Sequence, residues 1–359
     1  MLGKLRSILG GAPAEEPDDD VAEVEVETDK VLAPSPDDPP VGSSVFEAMP
    51  QPESEPSLLE GELRAAQKIQ MSLVPKTFPP IPGCLPFDLY AILEPAREIG
   101  GDFYDFWLNG RDNLVLVIGD VSGKGIPAAL FMAVCRTYLR AFSRSVAEPA
   151  RLLEYLNNEV SRHNESCMFV TLICAVVNIP TGKVSYANAG HNPPLLRKRG
   201  GEVKMLDMAE DMPIGFMNGM KFATRSLSLG EGDSLLFYTD GMPEAFNGQG
   251  AMLGDDVALD MFASAARGGS CRTAIGQLQA EIAEFVDGAD PSDDLTLLMY
   301  GQLKQDGSVI MDGGKDRSDA LKGETGMFSL SNLGSALARP GDRHFDDELG
   351  RSLSGFTEE

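Results

Sequence analysis

The sequence predicts an α+β fold in which two antiparallel sheets pack on each other with helices outside. Two observations carry this expectation. Strand-like runs arrive in consecutive pairs and helical runs also arrive in pairs, unlike the strict β-α-β alternation of a nucleotide-binding sheet. Almost all the aromatic and β-branched residues fall within 58–304, a stretch long enough to bury a core of its own.

The elements follow in chain order. Residues 58–74 read as a helix, because Leu59, Leu63, Ala66, Gln70 and Leu73 fall at spacings of four and three residues, the seam of a coiled coil. Pro75 and Pro79-Pro80 stop it. Two roles stay open for this helix: a surface helix on its own domain, or a dimerising or signal-transmitting helix whose Gln70 fixes the register. Residues 87–93, 102–108, 114–119, 169–178, 184–188, 234–239 and 295–300 are rich in Val, Ile, Leu, Phe and Tyr and bounded by Gly, Pro or Asn, which predicts strands. Asp112-Asn113 between the second and third predicts a hairpin. Helices are predicted over 127–144, with proline in the first turn, and over 148–164, 256–266 and 273–285.

Charge marks where the folded part begins and ends. The chain has 359 residues and a net charge of −25. Residues 1–57 carry 14 acidic against 3 basic side chains and nine of the 24 prolines. Residues 305–359 carry 11 acidic and 6 basic residues with many Gly and Ser. Such compositions bury too little apolar surface to offset ordering entropy, so 1–57 is expected to be a disordered acidic arm and 305–359 a mostly disordered tail. Between them lie the linker helix, 58–80, and one domain, 81–304.

The same arithmetic excludes several functions. An acidic chain cannot bind nucleic acid through a broad basic surface, nor anchor to a membrane through a polybasic patch. The best apolar run, 126–135, has ten residues, about half of what a membrane span needs. The five cysteines form no C-x-x-C pair, so neither a disulfide framework nor a zinc site is indicated, and a reducing, cytoplasmic compartment fits.

Four aspartates stand at the ends of apolar strands: Asp102, Asp120, Asp240 and Asp293, the last followed by Asp294. A carboxylate at a buried strand end is costly unless partnered, and only Arg97 and Lys124 lie near in sequence. Each aspartate alone reads best as a turn or cap residue. Four at strand ends, three beside glycine, read better as ligands that a divalent cation holds together. With only three histidines in the chain, an oxygen-only site for Mg²⁺, Mn²⁺ or Ca²⁺ is expected rather than zinc. Gly119-Asp120-Val121-Ser122-Gly123-Lys124-Gly125 is not a phosphate loop, because its Gly-Lys spacing is one residue short and Gly125 replaces the required Ser or Thr. Its small residues are expected to let the following helix approach the metal end, with Lys124 solvated.

These motifs together resemble the PPM-type metal-dependent serine/threonine phosphatases, in the bacterial branch containing the sporulation phosphatase SpoIIE and the stress-response phosphatase RsbU. The markers are the helix Leu63–Leu73 ending in Leu73-Val74-Pro75, Ala96-Arg97-Glu98-Ile99-Gly100-Gly101-Asp102-Phe103-Tyr104-Asp105, the Gly119–Gly125 segment, Asn188-Ala189-Gly190-His191-Asn192-Pro193-Pro194, Tyr238-Thr239-Asp240-Gly241 and Asp293-Asp294-Leu295-Thr296-Leu297. The resemblance runs from about Leu63 to Leu303. It implies an α/β/β/α sandwich with two Mn²⁺ or Mg²⁺ ions at one end. By that resemblance Asp120 bridges both ions, the Val121 carbonyl is the next ligand, Asp240 and Asp293 complete one metal, and Asp102 holds a metal directly or through water. Asp294 is the substitute candidate for Asp293. Arg97 matches a phosphate-binding arginine of animal relatives, or else forms a salt bridge.

The sequence departs from the animal pattern at Ser122, where those relatives have a histidine, so the general acid stays unassigned. His191 reads as a turn histidine bonded to backbone rather than a replacement. The activity implied is hydrolysis of phosphoserine or phosphothreonine on a regulatory protein, with a phosphorylated STAS-domain anti-sigma-factor antagonist as substrate and partner. A homodimer through helix 58–74 is a further expectation. The competing function is a catalytically silent phosphatase-like module, and a metal-dependent nuclease is disfavoured because the acidic surface repels its substrate.

Overall fold

The computed structural model describes residues 58–78 and 86–304 apart from 145, 163, 208–210 and 268. The expected arm 1–57 and tail 305–359 lie outside the described residues. The elements are α1 (Leu58–Leu73), β1 (Phe87–Glu94), β2 (Phe103–Asn109), β3 (Asn113–Val121), α2 (Ile126–Phe142), α3 (Pro149–Ser161), β4 (Val170–Asn178), β5 (Lys183–Ala189), β6 (Leu195–Arg197), β7 (Val203–Met205), β8 (Arg225–Ser228), β9 (Ser234–Tyr238), α4 (Asp255–Ala265), α5 (Cys271–Val286) and β10 (Leu295–Gln302).

They form two five-stranded sheets, in the orders β1-β10-β9-β6-β7 and β2-β3-β4-β5-β8, with antiparallel pairing throughout. The strand alternation explains the layers. Leu114, Leu116 and Ile118 of β3 join Leu89, Phe106, Phe237, Leu298 and Tyr300 in the core between the sheets. Val115, Val117 and Val121 face the other way and pack against Met132, Cys135 and Leu139 of α2 and Leu153 and Leu156 of α3. On the far side, Leu236, Tyr238, Leu297 and Met299 pack against Phe262 of α4 and Ile275, Leu278 and Ile282 of α5. The result is the expected α/β/β/α sandwich. Both faces of β3 are covered, which is why it reads as an unbroken apolar run.

The hairpin expected at 112–113 joins β2 to β3, with Asn109 opposite Asn113. Pro127 and Pro149 start α2 and α3 from the first turn, where a missing N–H costs nothing. The Ser270 hydroxyl caps α5 by accepting from the Thr273 N–H. Short β6, β7 and β8 have no counterpart among the predicted strands.

Helix α1 docks on its own domain. Gln70 is buried and exchanges two hydrogen bonds with the backbone of Gly100, its amide donating at 2.6 Å and accepting at 3.3 Å. Val74 enters the central core, and the Tyr104 hydroxyl donates to the Pro75 carbonyl at 2.7 Å. Of the two roles left open for α1, the surface helix therefore describes Gln70, whose side chain is spent within the domain.

Candidate metal centre

Asp102 precedes β2, Asp120 is the penultimate residue of β3, Asp240 follows β9 and Asp293 precedes β10. The two sheets thus deliver their acidic strand ends to one edge of the sandwich, and electrostatics record the convergence. Asp120 is pushed up to about 8, first by burial, then by the charges of Asp240, Asp293 and Asp294, with some relief from a hydrogen bond with Asp102. Asp102 is held well above the usual carboxylate range by burial, then by Asp120 and Asp294. Burial, Glu244 and Asp293 raise Asp240 to about 6.

The carboxylates differ in their partners. Asp102 is almost fully buried, and its Oδ2 accepts from the hydroxyls of Thr239 and Thr296, both at 2.7 Å. Those threonines sit next to Asp240 and near Asp293 in sequence, and they were not among the predicted site residues. Asp294 is turned inward, accepting from the backbone N–H of Ala96 at 2.8 Å and of Gly101 at 2.9 Å. A Cβ on Gly100 would collide with this carboxylate, which explains the paired glycines. Asp294 is therefore a clamp on the 96–101 loop, whereas Asp293 is 40% exposed and faces outward. Lys124 is not merely solvated: its ammonium lies 3.1 Å from Asp293 Oδ2 and donates to the Ser292 carbonyl at 2.7 Å.

Glycines 123 and 125 do not serve close packing as expected, since a Cβ on either would meet nothing within 4 Å. Their φ values of 86° and 76° require glycine for the turn itself. Close approach occurs instead at Gly101, where a Cβ would stand 2.7 Å from the Val121 carbonyl oxygen.

Asp105, part of the Asp102 motif, has a separate role. It is buried and binds Arg140 through two hydrogen bonds of 2.8 and 2.6 Å and Arg136 at 2.9 Å, tying β2 to α2. Arg140 also lies over the Trp107 ring. Arg97 is exposed, and its side chain forms no ion pair among the described residues. His191 is a buried turn residue: its N–H donates to Asn188 Oδ1 at 2.7 Å and its carbonyl accepts from Asn188 Nδ2 at 2.8 Å. Its ring meets the Thr171 hydroxyl at 2.8 Å, and burial lowers it to about 4, so it is neutral at pH 7.

Among the described residues no three His, Cys, Asp or Glu side chains are gathered closely enough to hold an ion as they stand. The reason is visible in the partners: Asp102 faces two threonines, Asp293 faces Lys124 and Asp294 faces backbone N–H groups. The donor chemistry nonetheless fits a hard divalent cation. The candidate donors are all oxygen, the threonine hydroxyls and Lys124 offset only part of their mutual repulsion, and the lack of a Cβ at Gly101 leaves room beside the Val121 carbonyl.

Two antiparallel sheets between helix pairs, with carboxylates at one edge, define the PP2C phosphatase fold. The SiaA PP2C domain of Pseudomonas aeruginosa superposes with a TM-score of 0.59 at 21% identity, covering 68% of this chain and 96% of that one. The structure of the RsbU and RsbW domains of Rv1364c from Mycobacterium tuberculosis superposes with a TM-score of 0.53 at 30% identity, covering 62% of this chain and 61% of that one. The family model described as stage II sporulation protein E (SpoIIE) matches residues 110–301, over half the chain, and the chain belongs to this family.

Protein IcfG of Synechocystis sp. is 30% identical over 265 residues, 66% of this chain and 41% of that protein. The phosphoserine phosphatase RsbU of Bacillus subtilis is 27% identical over 186 residues, 52% of this chain and 54% of that protein. The chain spans about half the length of the curated relatives it matches.

Proposed function

We propose that this chain is a metal-dependent protein phosphatase that removes phosphate from serine or threonine of a regulatory phosphoprotein. The observation that carries this is the convergence of Asp102, Asp120, Asp240 and Asp293 on one edge of the sandwich, where desolvation and then neighbouring carboxylates raise Asp102, Asp120 and Asp240. The names of two relatives, the phosphoserine phosphatases RsbU and RsbP of Bacillus subtilis, support it.

Two Mn²⁺ or Mg²⁺ ions would be held by Asp102, Asp120, the Val121 carbonyl, Asp240 and Asp293. When bound, they would activate water near neutral pH and offset charge on the phosphoryl oxygens. Thr239 and Thr296 orient Asp102, and the Asp294 clamp fixes the loop that carries it. The exposed Arg97 guanidinium lies five residues before Asp102 and suits a phosphate. His191 stays neutral and structural. The substrate we propose is a phosphorylated STAS-domain anti-sigma-factor antagonist, and the compartment is the cytoplasm, where the buried Cys135, Cys174 and Cys271 would stay reduced.

The linker helix is proposed to regulate this centre. Gln70 grips Gly100, two residues from Asp102, so a shift of α1 would be felt at the site. Ile69 on α1 and Leu130 on α2 are each 65% exposed and Val134 is 46% exposed, apolar side chains available to a homodimer. Light scattering on the full chain tests the dimer: a strict monomer at high concentration counts against it.

Purified protein with Mn²⁺ is expected to release phosphate from phosphoserine substrates. The alternative, a silent phosphatase-like binding module, is favoured by one observation, the absence of a preformed ion cage among the described residues. Titration calorimetry decides between them: no Mn²⁺ uptake by folded protein supports the silent module and sinks the enzyme.

A further inference from the structure

An open groove of about 380 Å³ runs between α5 and the turn that follows Asp240. Its floor is apolar, with Ile282 and Val286 of α5, Ala245, Phe246 and Leu295. Phe246 is 42% exposed and bridges through its backbone to Met252, itself 53% exposed, so the apolar surface continues beyond the groove mouth. The charged residues lining it are all acidic, Glu94, Asp290 and Asp293, and of these Asp293 is paired with Lys124, which leaves Glu94 and Asp290 as the acidic rim. Gly241 and Asp293 also line it, so the groove abuts the aspartate cluster. Apart from Asp293 at its edge, the proposed metal chemistry does not use this surface, yet a phosphoserine presented to the aspartates would bring its neighbouring residues here.

We propose that this groove seats an apolar side chain flanked by lysine or arginine, carried by the substrate protein beside its phosphorylated residue. Two features argue for that occupant. The floor takes a branched or aromatic side chain out of water. The acidic rim, in an acidic protein, selects a basic neighbour and rejects an acidic one. The inference rests on the phosphatase activity proposed above, and it adds a substrate class: phosphoserine beside apolar and basic residues.

Three probes test it on the full chain with Mn²⁺: a phosphoserine peptide with leucine and lysine next to the phosphoserine, its counterpart with glycine and glutamate there, and p-nitrophenyl phosphate. Wild type is expected to prefer the leucine–lysine peptide by about tenfold in kcat/KM, the scale of one well-filled apolar pocket. Ala283 is exposed on α5 and lines the groove. Ala283→Tyr fills the groove and should abolish the preference while leaving p-nitrophenyl phosphate hydrolysis unchanged. Phe246→Ala, which removes part of the apolar floor, should also weaken the preference, and it decides the matter if Ala283→Tyr lowers the small-substrate rate. Equal hydrolysis of both peptides by wild type, or a preference that survives both variants, overturns the proposal. A change of oligomeric mass in Ala283→Tyr with peptide preference intact makes the groove a self-interface and also overturns it. If wild type hydrolyses none of the probes, the activity fails, not the groove. Fluorescence anisotropy of the dye-labelled unphosphorylated peptides then decides: tighter binding of the leucine–lysine peptide, lost in Ala283→Tyr, supports the groove, and equal binding rejects it.

Discussion

Adjacent Asp293 and Asp294 should respond to mutation in opposite ways. Asp294 is buried and accepts two short bonds from the N–H groups of Ala96 and Gly101. A hydrogen bond to a charged group contributes about 1.5–3 kcal/mol, so losing two would cost roughly 3–6 kcal/mol. Part of this is recovered, because Asp294 repels Asp102 and Asp120. A net loss of about 2–4 kcal/mol follows for Asp294→Ala, which in a domain of this size lowers the melting temperature by roughly 10 °C. Asp293 is 40% exposed, and its ion pair with Lys124 is equally exposed, so Asp293→Ala should cost only about 0–1 kcal/mol. Mn²⁺ affinity should reverse the order: Asp293→Ala loses binding at one site, while Asp294→Ala, kept folded at low temperature, keeps it. Differential scanning fluorimetry and titration calorimetry read the two quantities. A stable Asp294→Ala that has lost Mn²⁺, beside an Asp293→Ala that binds normally, would refute the assignment of clamp and ligand.

Three other outcomes are expected. Asp120 is raised from 3.8 to about 8, so in metal-free protein its cost to stability grows as pH rises between those values and is complete above 8. Asp120→Asn should therefore melt higher than wild type at pH 8 without metal, with a gain that shrinks toward pH 5; a pH-independent difference contradicts the cause given. Lys124→Met removes the cation now facing Asp293 and should tighten Mn²⁺ binding by up to about fivefold in calorimetry, whereas weaker binding would make Lys124 a required support. Asp105→Asn takes the carboxylate from Arg136 and Arg140 and should cost about 3 kcal/mol in urea unfolding, and an unchanged midpoint would deny the β2–α2 tie any role.

What was legible in the sequence was set by local pattern. The hairpin at 112–113, the two proline-started helices and the long apolar runs of β3, β4 and β10 depend on neighbours in the chain. Strands β6 and β7 have three residues each and β8 has four, too few to show a period, and β8 is mostly exposed. The four aspartates were visible as motifs, but their partners were not. Thr239 and Thr296 reach Asp102 across 137 and 194 residues, and Lys124 reaches Ser292 across 168. Asp105 stood in a recognised motif, but its partners Arg136 and Arg140 lie 31 and 35 residues on in α2, where a charged residue reads as solvated. Gln70 fitted a coiled-coil seam because docking on Gly100 uses the same face of the helix as a partner helix would.

The central claim is that the four aspartates at the sandwich edge hold divalent cations and hydrolyse phosphoserine. Phosphate release from a phosphoserine protein, measured for wild type and Asp120→Asn with Mn²⁺ and with a chelator, tests it most directly. Wild type with Mn²⁺ should turn over, while the chelated enzyme and the folded Asp120→Asn variant should both be silent. Undiminished hydrolysis by Asp120→Asn, or by wild type in the chelator, would contradict it.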